Sequence, residues 1–142
     1  MFILHAKALH GAPYDGHTLA PVIRELTGWT GAEPERIYVD KGYVGHGADK
    51  PLRVFRSGQK RGVHGTIKRE LRRRAAIEPV IGHLKGEHRL DRNYLKGRDG
   101  DSINAVLAAA GYNFRRLAQW LKHLLVLKII ARLTAAPAQQ SL

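Results

Sequence analysis

Arg36–Gly47 reads RIYVDKGYVGHG, and this stretch decides the fold class. Arg36–Val39 is a short apolar strand that Asp40 closes, and a Gly-rich loop, Lys41–Lys50, follows. In open α/β sheets, ligands bind at the carboxyl ends of strands, so an acid at this point is placed to hold a metal. The alternative is an Asp that only serves the turn it begins.

Upstream, Phe2–Ala8 (FILHAKA) alternates, with Phe2, Leu4 and Ala6 on one side and Ile3, His5 and Lys7 on the other, which predicts a strand. His10–His17 (HGAPYDGH) is a turn cluster. Thr18 is placed to N-cap a helix to about Gly28, with Pro21 in its first turn and Leu19, Val22, Ile23 and Leu26 as its buried stripe. Downstream, Leu52–Phe55 reads as a further strand and Ser57–Gly65 as a basic loop. From Thr66 the pattern is helical. Asp91–Ser102 is a polar connection, with Asp101 or Ser102 as the cap of a last helix. There Ile103, Val106, Leu107, Ala110, Phe114, Leu117, Leu121 and Leu124 share a predicted core face, and a bend or fraying is expected near Lys128. The order of elements predicts an α/β fold of about three strands with helices, ending in a long amphipathic helix. Residues 1–130 are expected to form one unit and 131–142 a polar, disordered tail. Three short strands make a thin sheet, as if the fold were entered midway.

Charge points to the partner. Lys and Arg number 24 against 12 acids, a net charge of +12, and the pI is about 10.5. This balance favours a polyanion, nucleic acid first. Cysteine is absent, which excludes disulfides and thiolate metal sites and suits a reducing cytoplasm. The opening MFILHAKALHG has no basic n-region and too short an apolar run for a signal peptide. Cations from Arg115 to Arg132 interrupt the last apolar stretch, so a membrane span is not expected. A membrane-surface role for Ile103–Arg132 is the weaker reading, because its apolar face fits a core helix equally well.

The second candidate acid is Glu78, in ELRRRAAIEPVIGHLKGE. On a continuous helix, Leu71, Arg74, Glu78, Gly82 and Lys85 fall within a stripe about 80° wide. Glu78 could hold a metal there while Arg74 and Lys85 meet phosphates; the alternative is a surface stripe of ion pairs. Pro79 either kinks the helix at Glu78 or starts a new one. The eight histidines lack zinc-ligand spacing. The glycines of Gly42–Gly47 lack the ending of a phosphate-binding loop, and Asp15 reads as a turn residue.

Taken together, YDGHTL (Tyr14–Leu19), VDKGYVG (Val39–Gly45), RRRAAIEPVIGHLK (Arg72–Lys85) and NAVLAAAGYNFRR (Asn104–Arg116) resemble the catalytic half of bacterial insertion-sequence transposases of the DDE class. The resemblance runs over about residues 1–125. It implies part of a ribonuclease-H-like fold, with Asp40 as the second Asp and Glu78 as the Glu of the triad, both catalytic and both metal ligands. Arg74, Glu78 and Lys85 fit the family's helix pattern, whereas Leu71 stands where that pattern has Tyr. The first Asp has no counterpart, so the chain reads as a truncated or split-frame portion whose upstream partner segment carries it.

The implied function is DNA transposition by metal-dependent strand cleavage and strand transfer, with two Mg²⁺ ions, or Mn²⁺, in a complete site. Lys41, Lys60, Arg61, Arg72, Arg73, Arg74 and Lys85 would contact DNA phosphates. The implied partners are the element ends and target DNA, with a homo-oligomer when complete, in the bacterial cytoplasm at the nucleoid. The isolated chain is expected to be inactive. The rival reading is a non-catalytic basic DNA-binding remnant.

Overall fold

The computed structural model describes residues 1–48 and 52–135. The elements in order are α1 (Asp15–Thr30), β1 (Arg36–Val39), β2 (Arg53–Arg56), α2 (Gly65–Arg73), a 3₁₀ turn (Arg74–Ala76), α3 (Ile77–His88) and α4 (Gly97–Thr134). The class is α/β, but the sheet among the described residues has two strands rather than three. β1 and β2 pair in parallel, with Ile37 opposite Val54 and Val39 opposite Arg56. The connection 40–52 has the dozen or so residues that a crossover between parallel strands needs.

Among the described residues, the expected strand at Phe2–Ala8 is instead a strap without a strand partner. Alternation gives a strand its side-chain pattern, but a ladder needs a neighbouring backbone. Here the side-chain amide of Asn113 replaces one at a single point. It accepts from the Ile3 N–H at 2.9 Å and donates to the Ile3 carbonyl at 2.7 Å. The strap turns His5 inward, where its ring stacks on Trp29 at 5.3 Å and bonds Glu25 at 2.9 Å. Phe2 and Leu4 point to solvent.

α1 begins three residues before Thr18, with Asp15 in its first turn, where a carboxylate suits the helix dipole. The Thr18 hydroxyl does not cap; it donates to the Asp15 carbonyl at 2.7 Å. Pro21 therefore lies inside the helix. Gly31 ends α1 in the left-handed conformation, and its N–H closes on Thr27 at 2.8 Å. The expected stripe holds: Leu19 is buried and Val22, Ile23 and Leu26 are half-buried.

Of the two expectations for Pro79, the second is the nearer: a new helix, α3, does start here, at Ile77, two residues before the proline. The 3₁₀ turn at Arg74–Ala76 breaks the axis upstream, and Pro79 falls in the first turn of α3, where its missing N–H would have no intrahelical partner.

α4 starts at Gly97, ahead of both expected caps, and runs through Lys128 to Thr134, into the expected tail; residues 136–142 of that tail, like Asp49 and Lys50 of the loop, lie outside the described residues. Its buried face also differs from the predicted one. Gly100, Ala108, Ala109 and Tyr112 are buried, while Ile103, Val106, Leu107, Phe114, Leu117 and Leu121 are exposed. α3 packs on α4, and the meeting points are small. A Cβ on Gly111 would come within 2.9 Å of His88 Nδ1 of α3, and one on Gly100 within 2.8 Å of Leu95 in the connection that leads into α4. The close approach selects the small-residue face, and the larger apolar face is left over. The remaining core lies on α1 and the sheet, at Leu19, Val39 and Phe55.

Candidate functional site

Asp40 is the first residue beyond β1. Burial of Val39 fixes the strand end and turns the next residue outward. The Asp40 Oδ1 accepts from the Lys41 N–H at 2.7 Å, and the Asp40 carbonyl accepts from the Tyr43 N–H at 3.3 Å. The other carboxylate oxygen meets Arg74 Nη2 at 3.2 Å; the Arg74 side chain is mostly buried and that of Asp40 is 60% exposed. This ion pair ties the strand end to the 3₁₀ turn just before Glu78. Of the expected site residues, the structure thus brings Asp40 and Arg74 into contact. Glu78 stands in the first turn of α3 with its side chain exposed.

The loop after Asp40 is held from the other side by the start of α1. A Cβ on Gly42 would fall 2.5 Å from Asp15 Oδ2, and one on Gly16 only 2.3 Å from the Val44 carbonyl. Asp15, read from sequence as a turn residue, in fact presses its carboxylate against the loop that opens with Asp40. Two bare Cα atoms permit that approach.

The expected phosphate-binding cations divide among separate surfaces. Lys60 and Arg72 line one concavity of about 520 Å³ together with Lys68. Arg72 also lines a second, of about 690 Å³, with Arg69 and Arg73. Lys85 belongs to a third, with Arg89 and Arg92. Lys41 lies beside Gly58, and Arg61 is exposed on the same loop, its carbonyl accepting from Gln59 at 2.8 Å. Lys68 and Arg69 were not among the expected cations, though they sit one helical turn before Arg72 and Arg73.

Glu70 holds this basic helix to the sheet. The Tyr38 hydroxyl donates to Glu70 Oε2, and Arg36 Nε lies 3.4 Å from the same oxygen. Partial burial, reinforced by the Glu70 carboxylate, raises the Tyr38 phenol above its ordinary value. Tyr38 also stacks on Phe55 at 5.5 Å across the two strands. Sequence reasoning missed this anchor. The available signal was that Glu70 is the lone acid between Lys50 and Ile77.

The donor chemistry suits a hard divalent cation, since both candidate ligands are carboxylates. The set is nonetheless incomplete. Among the described residues no group of three or more His, Cys, Asp or Glu side chains could hold a metal ion, and Arg74 already engages Asp40. No helix of the described residues is long and apolar enough to cross a membrane.

Residues 54–118 match a family model described as Transposase DDE domain, which supports the DDE-class transposase resemblance drawn from the motifs. The matched segment contains Glu78, Lys60, Arg61, Arg72–Arg74 and Lys85; Asp40 and Lys41 lie before it. No curated protein and no solved structure matches the chain.

Proposed function

We propose that this chain supplies the second and third carboxylates, Asp40 and Glu78, to the site of a DDE transposase acting on DNA phosphodiesters. The observation that carries this reading is the Asp40–Arg74 ion pair at 3.2 Å. It joins the acid at a strand's carboxyl end to the turn that leads into the Glu78 helix, and that helix lies inside the segment matching the transposase family. The two-stranded parallel sheet and flanking helices are read as part of a ribonuclease-H-like fold.

In a complete site of this class, divalent ions stabilise charge on the attacking and leaving oxygens during strand cleavage and strand transfer. Two exposed carboxylates leave such a site unfinished, so the remaining ligand is assigned to a further acid, carried by an upstream segment. The residues of this chain do the rest. Arg74 holds Asp40 in place until the site is filled. Lys60, Arg61, Arg72 and Arg73 bind backbone phosphates and set the register of the duplex. Lys41 and Lys85 extend that binding from the loop and from α3. Such binding is insensitive to base sequence and places the chain at the nucleoid.

The test is a supercoiled plasmid with Mg²⁺ or Mn²⁺. The chain alone should leave it closed. Mixed with or fused to an upstream transposase segment bearing an Asp, it should nick the plasmid, and Asp40→Ala or Glu78→Ala should abolish nicking. Nicking that survives both substitutions would refute the assignment.

The second reading, a DNA-binding remnant without catalysis, is favoured by the lack of a three-ligand cluster among the described residues. It predicts salt-sensitive DNA binding and no nicking under any supplementation.

A further inference from the structure

The end of α3 and the connection to α4 enclose a basic cavity of about 270 Å³, lined by Lys85, Gly86, Arg89, Asp91, Arg92 and Tyr94. Lys85, Arg89 and Arg92 form no ion pair among the described residues, so three cations converge on one hollow with a single acid, Asp91, on its wall. The hollow also presents an aromatic ring. Tyr94 is 74% exposed. The Arg89 guanidinium lies over its ring, 5.6 Å from the centroid, within cation–π range. That contact occupies one face of the ring and leaves the other open.

The backbone holds both side chains in place. Arg89 ends α3 in the left-handed conformation, with φ 57°, where glycine is the usual occupant. Its N–H closes on the Leu84 carbonyl, and its own carbonyl accepts from the Arg92 N–H at 3.1 Å and from Asn104 Nδ2 at 3.4 Å. Asn93, beside Tyr94, donates to Asp101 at 2.7 Å and accepts from the Leu95 N–H at 2.9 Å, which ties the segment to the start of α4. A position that suits glycine thus carries a side chain, and that side chain covers Tyr94.

We infer that this cavity binds an unstacked nucleotide of a single-stranded nucleic acid, with its base on the open face of Tyr94 and its flanking phosphates on Lys85, Arg89 and Arg92. Cations alone would serve any polyanion; the exposed ring beside them makes the choice. Within a duplex, neighbouring pairs cover both faces of each base. In a single strand a base is free to stack on an aromatic side chain, and a ring beside a cationic groove holds such strands without sequence preference. A lipid headgroup or a phosphopeptide would bring phosphate without requiring that ring. Three cations also exceed what one phosphate needs, which favours a nucleotide within a strand over a free one. Asp91 repels phosphate from its part of the wall and accepts from the amino group of a base. The cavity lies near the proposed site, since Lys85 is two turns, about 10 Å, beyond Glu78 along α3. The inference rests on the DNA reading for its partner, but Arg89, Arg92 and Tyr94 are not among the cations assigned there to the duplex.

Fluorescence anisotropy at one salt concentration tests it, with a single-stranded oligodeoxycytidine of about ten residues and with a duplex of the same length. Tyr94→Ala should weaken single-strand binding about tenfold, as expected for the loss of one base–aromatic stack, and leave duplex affinity unchanged. Tyr94→Phe should keep both. Arg89→Gly should weaken single-strand binding while raising Tm, because glycine adopts the left-handed backbone freely; a folding defect would lower Tm instead. An abasic strand of the same length should bind the wild-type chain about as weakly as the intact strand binds Tyr94→Ala, and deoxycytidine monophosphate should compete poorly. No single-strand binding, equal affinity for intact and abasic strands, equal loss of strand and duplex in Tyr94→Ala, or competition by the free nucleotide as strong as by the strand would each overturn the inference. Duplex binding that persists beside any of these results leaves the transposase reading standing. Single-strand binding that needs Tyr94, in a chain that does not bind the duplex, would support this cavity and count against the duplex assignment alone.

Discussion

A pair of glycine substitutions in α1 isolates the packing that holds the Asp40 loop. Gly16 and Gly28 lie in the same helix. An alanine at either position gains about 1 kcal/mol of helix propensity. At Gly28 nothing lies within 4 Å of the added methyl, whereas at Gly16 the methyl falls 2.3 Å from the Val44 carbonyl and 2.8 Å from the Tyr14 ring. The carbonyl is backbone and cannot rotate away, so the loop must move by about 1 Å, and overpacking of this kind costs roughly 1–3 kcal/mol. Gly28→Ala should therefore stabilise the chain. Gly16→Ala should fall below it by that same overpacking cost, roughly 3–10 °C in Tm for a chain of this size. Thermal unfolding by circular dichroism measures the difference. The amide resonances of Lys41–Gly45 locate it, moving in Gly16→Ala and staying put in Gly28→Ala. Equal stabilisation by both substitutions, with an unmoved loop, would show that α1 does not brace the site.

Other consequences are equally open to measurement. Hydrogen bonds from Lys7 and then His5 hold the Glu25 carboxyl below its ordinary value. The folded-state value is the lower one, so the strap's attachment should be complete above the ordinary Glu range and lost as pH falls through the depressed value. Trp29 fluorescence, reporting the His5 stack, should follow that loss, and Glu25→Gln should remove the acid transition. Tyr38→Phe deletes the donor to Glu70 and should cost about 0.5–1.5 kcal/mol by denaturant unfolding, since Arg36 still pairs the acid and the site is partly solvated. No change in stability would show that α2 is not held through Tyr38. Duplex binding should weaken steeply with salt. Replacing Lys60, Arg61, Arg72 and Arg73 by Ala together should flatten the log–log slope by up to about 3.6, near 0.9 for each phosphate no longer neutralised; an unchanged slope would place the DNA elsewhere.

Much of this architecture was legible in the residues because local rules govern it. The apolar run ending in Asp40, the stripe of α1 and the basic helix after Gly65 each carry their own periodicity. Misreadings came where a partner decides the outcome. Phe2–Ala8 alternates as a strand should, yet among the described residues it has no ladder partner, and the side chain of Asn113 bonds the backbone of Ile3. The buried side of α4 was assigned to its large apolar residues, whereas the close approaches of His88 and Leu95 fall on Gly111 and Gly100. Hydrophobicity names a face that wants cover; it does not say which neighbour arrives. The same limit explains the site. Asp40, Arg74 and Glu78 could be named from motif and spacing, and Pro79 announced an interruption of the helix, but not that it would take the form of a 3₁₀ turn at Arg74–Ala76. Glu70 and Asp15 act through neighbours distant in sequence, Tyr38 and Gly42, and local patterning does not report such pairs.

The claim that Asp40 and Glu78 act together is tested most directly by a Mn²⁺ titration followed by NMR. Two exposed carboxylates should bind the ion weakly. Paramagnetic broadening should therefore appear at the same low occupancy around Asp40–Gly42 and around Ile77–Glu78. Asp40→Asn should remove it from both places at once. Broadening confined to one of the two segments, or at Glu78 undiminished by Asp40→Asn, would contradict the account.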